Sequence, residues 1–220
     1  DGYFQLIEEC DNIDDQRRYL DIIRERLNSL NEMLEELFTF TKLKNDSYKL
    51  ELTDCCMNRI LKEAVFSYYD EWKKQGICPD ISITEEMLYI LGNKQGLRRV
   101  IQNVIKNGID HGEKNISIEL TRKDNHALLK ISNYTEHPEN IDLSHVFERF
   151  YKADVARGRA STGLGLSIAK ELVERMNGDI SARIQGNDFI IEIKVLLVVE
   201  HVSMSDGVDN IDLEVGRRYI

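Results

Sequence analysis

Proline is nearly absent from this sequence, with two in 220 residues, and no Ser/Gly-rich stretch accompanies them. That argues against a long disordered linker. Cysteine is sparse as well. Cys10, Cys55, Cys56 and Cys78 lack paired metal-ligand spacing, and the adjacency of Cys55 and Cys56 suits neither a zinc knuckle nor an easy disulfide. They read as free thiols of a reducing compartment. No signal peptide is visible, and the longest apolar run, near 195–199, is far too short to span a bilayer. Positive charge is in deficit: 29 Lys and Arg against 39 Asp and Glu give a net charge of −10. Nucleic acid, whose phosphates demand clustered Lys and Arg, is therefore not an expected partner. A small polyanion held in a locally basic pocket remains compatible with that charge.

What is present is ordinary globular material, 42% hydrophobic and 31% charged. Residues 14–43 read as one long helix. Leu20, Ile23, Leu27, Leu30, Leu34, Leu37 and Thr41 are spaced alternately by three and four, which is a heptad seam. A seam this regular packs on another helix, within the chain or in a dimer, and Met33, Phe38 and Phe40 widen the apolar surface beyond one stripe. Gly2–Glu9 looks like the end of a preceding helix, with Asp11–Asp15 supplying turn and capping residues. After Asn45 the pattern changes. Strands are expected at 48–53, 81–84, 88–91, 115–121, 127–132, 180–184 and 189–195, and helices at 56–74, 95–110 and 164–176. The sum is an α+β fold, a mixed sheet with helices on one face. Residues 133–162 show no sustained period and carry Arg149, Lys152, Arg157 and Arg159. A loop that long inside a compact domain is usually functional or disordered.

Two constellations carry chemistry. The first is the turn Ser161-Thr162-Gly163-Leu164-Gly165-Leu166, which opens a helix. Glycines at alternate positions let backbone approach a ligand, and the helix start aims free N–H groups and its positive dipole end at that spot, as phosphate prefers. Alone, such a glycine pair is equally well read as a need for tight helix packing. The second is Asn103 and Asn107, whose i, i+4 spacing puts both amides on one helix face. An amide oxygen suits Mg²⁺, and an amide N–H suits phosphate or water. An isolated pair would read as a solvated face. Apolar Ile101, Val104 and Ile105 beside it weaken that reading, because the helix must bury that neighbourhood.

Four stretches together resemble the sensor histidine kinases. Ile101-Gln-Asn-Val-Ile-Lys-Asn-Gly-Ile-Asp-His111 is similar to their N box, and Phe147-Glu-Arg-Phe-Tyr-Lys152 to their F box. Thr162-Gly-Leu-Gly-Leu166 resembles their second glycine box, and Leu34-Glu-Glu-Leu-Phe-Thr-Phe-Thr-Lys-Leu43 the end of their second dimerisation helix. Order and spacing agree across roughly residues 1–196. The resemblance implies three segments: part of a helical-hairpin dimerisation domain over 1–45, a Bergerat-type ATP-binding catalytic domain over 46–197, and a tail of unassigned role over 198–220. It implies transfer of the ATP γ-phosphoryl group to a histidine, followed by relay to a response regulator. By the same resemblance Asn107 would coordinate Mg²⁺ and Asn103 would support the phosphate–metal cluster. His111 would line the nucleotide, Arg149 and Lys152 would neutralise phosphate charge from a lid, and the turn from Thr162 through Gly163, Leu164, Gly165 and Leu166 would cradle the phosphates. The parent protein would be a homodimer through 14–43, anchored in the cell membrane, with this part in the cytoplasm.

Several positions depart from the family pattern. The family's Asp-x-Gly-x-Gly box, whose Asp reads the adenine amino group, is replaced by Ile131-Ser132-Asn133-Tyr134. Asn133 can accept that hydrogen bond without the charge, and Ile141 would supply the apolar contact made at the end of the box. Asp110 stands where Lys or Arg is frequent, and Gly108 where Ala is usual. None of the five histidines, His111, His126, His137, His145 and His201, lies in the opening helical region, so the acceptor is expected upstream of residue 1. His126, His137, His145 and His201 read as ordinary surface residues. The alternative function is a degenerate, non-catalytic dimerisation and docking module, favoured by Asn133, Asp110 and the lost glycine box. A gyrase- or chaperone-like ATPase would need a water-activating carboxylate where Asn103 stands.

Overall fold

The computed structural model describes residues 12–45, 47–111, 115–151 and 162–198. Gly2–Glu9, Lys152, Arg157, Arg159, Ser161, His201 and the tail beyond residue 198 lie outside the described residues. The chain divides into two compact units after Asn45.

The first unit contains helix α1, Ile13–Lys44. Asn12 caps it, its Oδ1 accepting the Asp14 N–H at 3.0 Å. Asp14 and Asp15 in the first turn and Lys42 and Lys44 in the last complement the helix dipole. The heptad leucines are exposed: Leu20, Leu27, Leu30, Leu34 and Leu37 retain 46–57% of their accessible surface.

The second unit contains β1 (Thr53–Cys56), α2 (Met57–Ser67), α3 (Tyr69–Gln75), β2 (Asp80–Ile83), β3 (Tyr89–Gly92), α4 (Lys94–His111), β4 (Ile116–Lys123), β5 (His126–Tyr134), α5 (Gly165–Arg175), β6 (Asp179–Gln185) and β7 (Asp188–Leu196). A 3-10 turn covers Pro138–Asn140. Five strands form one sheet in the order β2-β4-β5-β7-β6, and β1 pairs with β3 in a small separate sheet. Only the β2–β4 pair in the larger sheet is parallel, so that sheet is mixed and the fold is α+β.

Strand alternation decides which face is the core. Ile118, Ile131 and Ile191 stand in one row across β4, β5 and β7, and Leu120, Leu129 and Ile193 in the next; all are buried. The opposite face carries Glu119, Lys130 and Glu192, where Lys130 pairs with Glu119 at 3.3 Å and Arg183 with Glu192 at 3.2 Å. The helices contribute Leu61, Leu97, Ile101, Ile105 and Ile168 to the core, each essentially inaccessible.

Two elements differ from expectation. The single helix expected over 56–74 is two helices, α2 and α3, broken at Tyr68 (φ −97°, ψ 0°). The Tyr68 hydroxyl donates to the Gln102 carbonyl at 3.2 Å and its ring lies 5.9 Å from that of Trp72, so tertiary contacts set the break with no proline or glycine to announce it. The strand expected at 48–53 begins only at Thr53. The Tyr48 and Glu51 carbonyls accept hydrogen bonds from the Arg175 Nη1 and Asn93 Nδ2 groups, at 2.8 and 2.9 Å, instead of joining a ladder.

Candidate functional site

Helix α4 organises the site. Its buried stripe of Leu97, Val100, Ile101, Val104 and Ile105 fixes the rotation of the helix, and that rotation leaves Asn103 and Asn107 half-buried on one flank. Asn103 Nδ2 donates to the Gly165 carbonyl at 2.9 Å, joining the asparagine helix to the glycine turn at the start of α5. The Asn103 Cβ would lie 3.8 Å from a Cβ built on Gly165, so the two elements already touch there. Asn107, one turn further along α4, makes no side-chain hydrogen bond with a described residue. A half-buried amide in that state is available to a ligand.

The turn itself is tightly held. Thr162 Oγ1 accepts the Leu164 N–H at 3.1 Å, and Ser167 Oγ donates to the Leu164 carbonyl at 2.8 Å. The first α5 hydrogen bond from an N–H to an i−4 carbonyl is made by Ile168 to Leu164. Gly165, Leu166 and Ser167 therefore sit in a first turn that has no helical acceptors for their N–H groups.

Gly163 adopts φ +70°, and a Cβ there would fall 2.8 Å from the Phe150 Cα and 2.9 Å from the Tyr151 carbonyl oxygen. Its carbonyl accepts the Phe150 N–H at 3.0 Å. Backbone thus meets backbone where the segment ending in Phe147–Tyr151 reaches the glycine turn. Phe150 is itself left-handed (φ 61°) and 67% exposed. Phe147 is held from the other side by Lys170 of α5, whose Nζ lies 5.7 Å from the ring centroid. Together these contacts staple the two ends of the segment expected to form a lid. Arg149, within that staple, is exposed, and Lys152 falls outside the described residues.

Asn133 lies on β5 with only 6% of its surface exposed. It faces the core side of the sheet, against α4: its Oδ1 would be 3.7 Å from a Cβ on Gly108. The structure thus places Asn133, Asn103 and Asn107 along the same helix. His111 ends α4 and is half-buried; Ile141, also half-buried, follows the 3-10 turn and donates its N–H to the Pro138 carbonyl at 3.2 Å.

Sequence reasoning missed a knot just before the staple. The Asp142 N–H donates to the Tyr151 hydroxyl at 2.7 Å, and the His145 ring stacks on Tyr151 with centroids 6.4 Å apart. His145 Nδ1 lies 2.7 Å from Asp142 Oδ2, and its Nε2 lies 3.9 Å from Glu148 Oε1. The only signal in the sequence is an Asp and a His three residues apart. The hydrogen bond to Asp142, then the charges of Asp142 and Glu148, raise the His145 pKa above the ordinary histidine value. Asp142 is lowered, first by its hydrogen bond to Ser144 and then by that to His145.

The signs follow by linkage. The raised histidine gives an interaction fully present below the ordinary histidine pKa and lost as pH rises through the folded value. The lowered carboxylate gives one present above the ordinary carboxylate pKa and lost as pH falls through its folded value. The knot is tightest between the two. An NMR titration of the His145 imidazole is expected to show a midpoint above the ordinary value, moving down in Asp142→Asn. An unmoved midpoint would contradict the pairing.

Residues 92–197 match the family model described as histidine kinase-, DNA gyrase B-, and HSP90-like ATPase. The sensor histidine kinase YcbM of Bacillus subtilis (strain 168) is 30% identical over 188 residues, which are 83% of this chain and 60% of that protein. The sensor protein VanS of Enterococcus faecium is 28% identical over 214 residues, 94% of this chain and 54% of its own length. The chain therefore spans a little over half the length of these two relatives. Among solved structures, a histidine kinase in complex with a response regulator, ThkA with TrrA, shares the fold: TM-score 0.68 at 19% identity, over 89% of this chain and 55% of that one.

Proposed function

The chain carries a sensor histidine kinase catalytic domain, and from that premise we propose that it binds Mg²⁺-ATP along α4 and the Gly163–Leu166 turn and passes the γ-phosphoryl group to a histidine upstream of residue 1. The observation that carries the reading is the 2.9 Å bond from Asn103 to the Gly165 carbonyl. It ties the helix that carries the unbonded Asn107 amide to the open first turn of α5. Phosphoryl transfer asks for positioning and charge neutralisation more than for covalent participation by the protein, and this arrangement supplies both.

In this reading the N–H groups of Gly163, Gly165 and Leu166 receive phosphate oxygens. That of Leu164 does so only by giving up its bond to Thr162. Arg149, and Lys152 outside the described residues, are the cations that would neutralise phosphate charge in this reading. Asn133 reads the base, with Ile141 and His111 against its faces. Among the described residues no three His, Cys, Asp or Glu side chains are grouped to hold a metal. Asn107 offers a neutral amide oxygen, which would suit an ion that arrives with the nucleotide and keeps its other oxygen ligands from phosphate and water. Mg²⁺ bound there would neutralise charge on the phosphates. Asp110 is half-buried at the end of α4 and sits three residues beyond Asn107, away from the turn that Asn103 touches.

The test is phosphorylation of a chain that includes the upstream helix. An acid-labile, base-stable phosphate that disappears in Asn107→Ala is the expected product. A stable chain that binds ATP yet never forms it supports the docking-module alternative.

The exposed leucine seam of α1 is proposed to hold a second copy of the chain, and a response regulator, the partner of ThkA in its solved complex, is proposed as the recipient of the phosphoryl group. Leu30→Glu with Leu34→Glu is expected to abolish concentration-dependent self-association in sedimentation velocity. Undiminished self-association of the double variant would place the dimer contact elsewhere.

A further inference from the structure

Asn133 is in an unusual place for an amide. On the core side of the sheet it forms a row with Ile116 of β4 and Phe189 of β7, where the neighbouring rows are entirely aliphatic. Burying an amide without partners costs about 1–3 kcal/mol, so a protein keeps one only when something else bonds to it. Within the described residues its partners are poor. Nδ2 reaches the Tyr134 carbonyl at 3.4 Å, the long limit of a hydrogen bond, and Oδ1 accepts none. Both polar atoms are thus nearly unused by described residues although the residue is only 6% exposed, and Oδ1 is not among the sealed-off unpartnered atoms, so a donor can reach it from outside.

On the helix side this amide meets a glycine. It faces Gly108, the α4 residue following Asn107, and the missing Cβ there would have stood 3.7 Å from Oδ1 and 3.8 Å from the Asn133 Cβ. Five residues of α4, about 7.5 Å of helix, separate Gly108 from Asn103, which touches the glycine turn. In the reading above the base end lies at Asn133 and the phosphate end at Gly165.

From this geometry we propose that Asn133 makes the site a purine site instead of an adenine site, so that it takes guanosine triphosphate nearly as well as adenosine triphosphate. The inference rests on the reading above, in which the base lies against Asn133. An amide carries one acceptor and one donor, and a half-turn about its last bond exchanges them. In one orientation Oδ1 accepts the adenine 6-amino N–H while Nδ2 donates to N1. In the other Nδ2 donates to the guanine O6 while Oδ1 accepts the N1–H. A carboxylate at the same position has acceptors only. Where the contact is made at position 6 of the base, a carboxylate takes the adenine amino N–H but meets guanine O6 lone pair against lone pair, whereas the amide can present either atom there, and a buried polar group left unpaired is what makes such sites selective.

Calorimetric titration with Mg²⁺-ATP and Mg²⁺-GTP tests this on the unmutated chain and on Asn133→Asp, with melting curves confirming that the variant folds. The expected result is a GTP dissociation constant within about tenfold of that for ATP in the unmutated chain. The ratio is expected to widen by a further tenfold or more, roughly, in Asn133→Asp while ATP still binds. ATP binding with GTP weaker by more than about tenfold in the unmutated chain overturns the inference and leaves the ATP-site reading standing. So does a ratio that Asn133→Asp leaves unchanged. If neither nucleotide binds the unmutated chain, both fall together. Because the unmutated comparison stands alone, an unfolded variant would not rescue the idea.

Discussion

Gly163→Ala is expected to lower the melting temperature of the unit after Asn45 by about 10 °C and to weaken nucleotide binding by at least an order of magnitude. Two costs add. A non-glycine residue at φ +70° carries about 1–2 kcal/mol of backbone strain. The new methyl also lies 2.8 Å from the Phe150 Cα and 2.9 Å from both the Phe150 carbonyl carbon and the Tyr151 oxygen, all of them backbone atoms that no rotamer change can move. Overpacking of that kind costs about 1–3 kcal/mol. The only relief is to part the staple between Phe150 and Gly163, and that displaces the turn whose N–H groups would hold phosphate. Thermal unfolding followed by circular dichroism and calorimetric ATP titration read the two effects separately. A variant with unchanged melting and binding would mean that the close approach of these segments has no part in forming the site.

Asn107→Ala is expected to leave melting unchanged and to weaken Mg²⁺-ATP binding by roughly 30- to 150-fold, the equivalent of about 2–3 kcal/mol for a lost bond to a charged partner. The Asn107 side chain makes no hydrogen bond with a described residue, so its removal should cost the fold nothing. Asn103→Ala should behave differently. It breaks the bond to the Gly165 carbonyl, so it should lower both melting stability, by about 1 kcal/mol, and affinity. The contrast between two asparagines on one helix face distinguishes a ligand-binding group from one that positions the turn. Equal losses of stability in both variants would remove that distinction.

The parts of the site that were legible in the sequence are those whose chemistry is written in local spacing. Alternate glycines before an amphipathic run and two asparagines four apart announced the turn and the helix flank. The inward-facing apolar rows of β4, β5 and β7 were legible for the same reason, because a period of two leaves only one way to bury Ile118, Leu120, Leu129, Ile131, Ile191 and Ile193.

What escaped depends on partners distant in sequence. Tyr68 breaks a helical pattern because of Gln102 and Trp72. Residues 48–52 alternate like a strand, but their carbonyls are taken by Arg175 and Asn93. The His145 knot depends on Tyr151 folding back over Asp142, which no periodicity encodes. The isolation of Asn133 between Ile116 and Phe189 was not visible. The sequence put it at the start of the aperiodic stretch 133–162, and only the structure shows that β5 runs on through it to Tyr134 and that the core offers it almost nothing to bond.

The central claim is that α4 and the α5 turn form one nucleotide site despite the missing acidic glycine box. Calorimetric titration of the unmutated chain with ATP, with and without Mg²⁺, tests it most directly. One nucleotide per chain is expected, bound more tightly with Mg²⁺ present. A chain that melts cooperatively yet takes up no ATP under either condition would contradict it and leave the domain as a docking module.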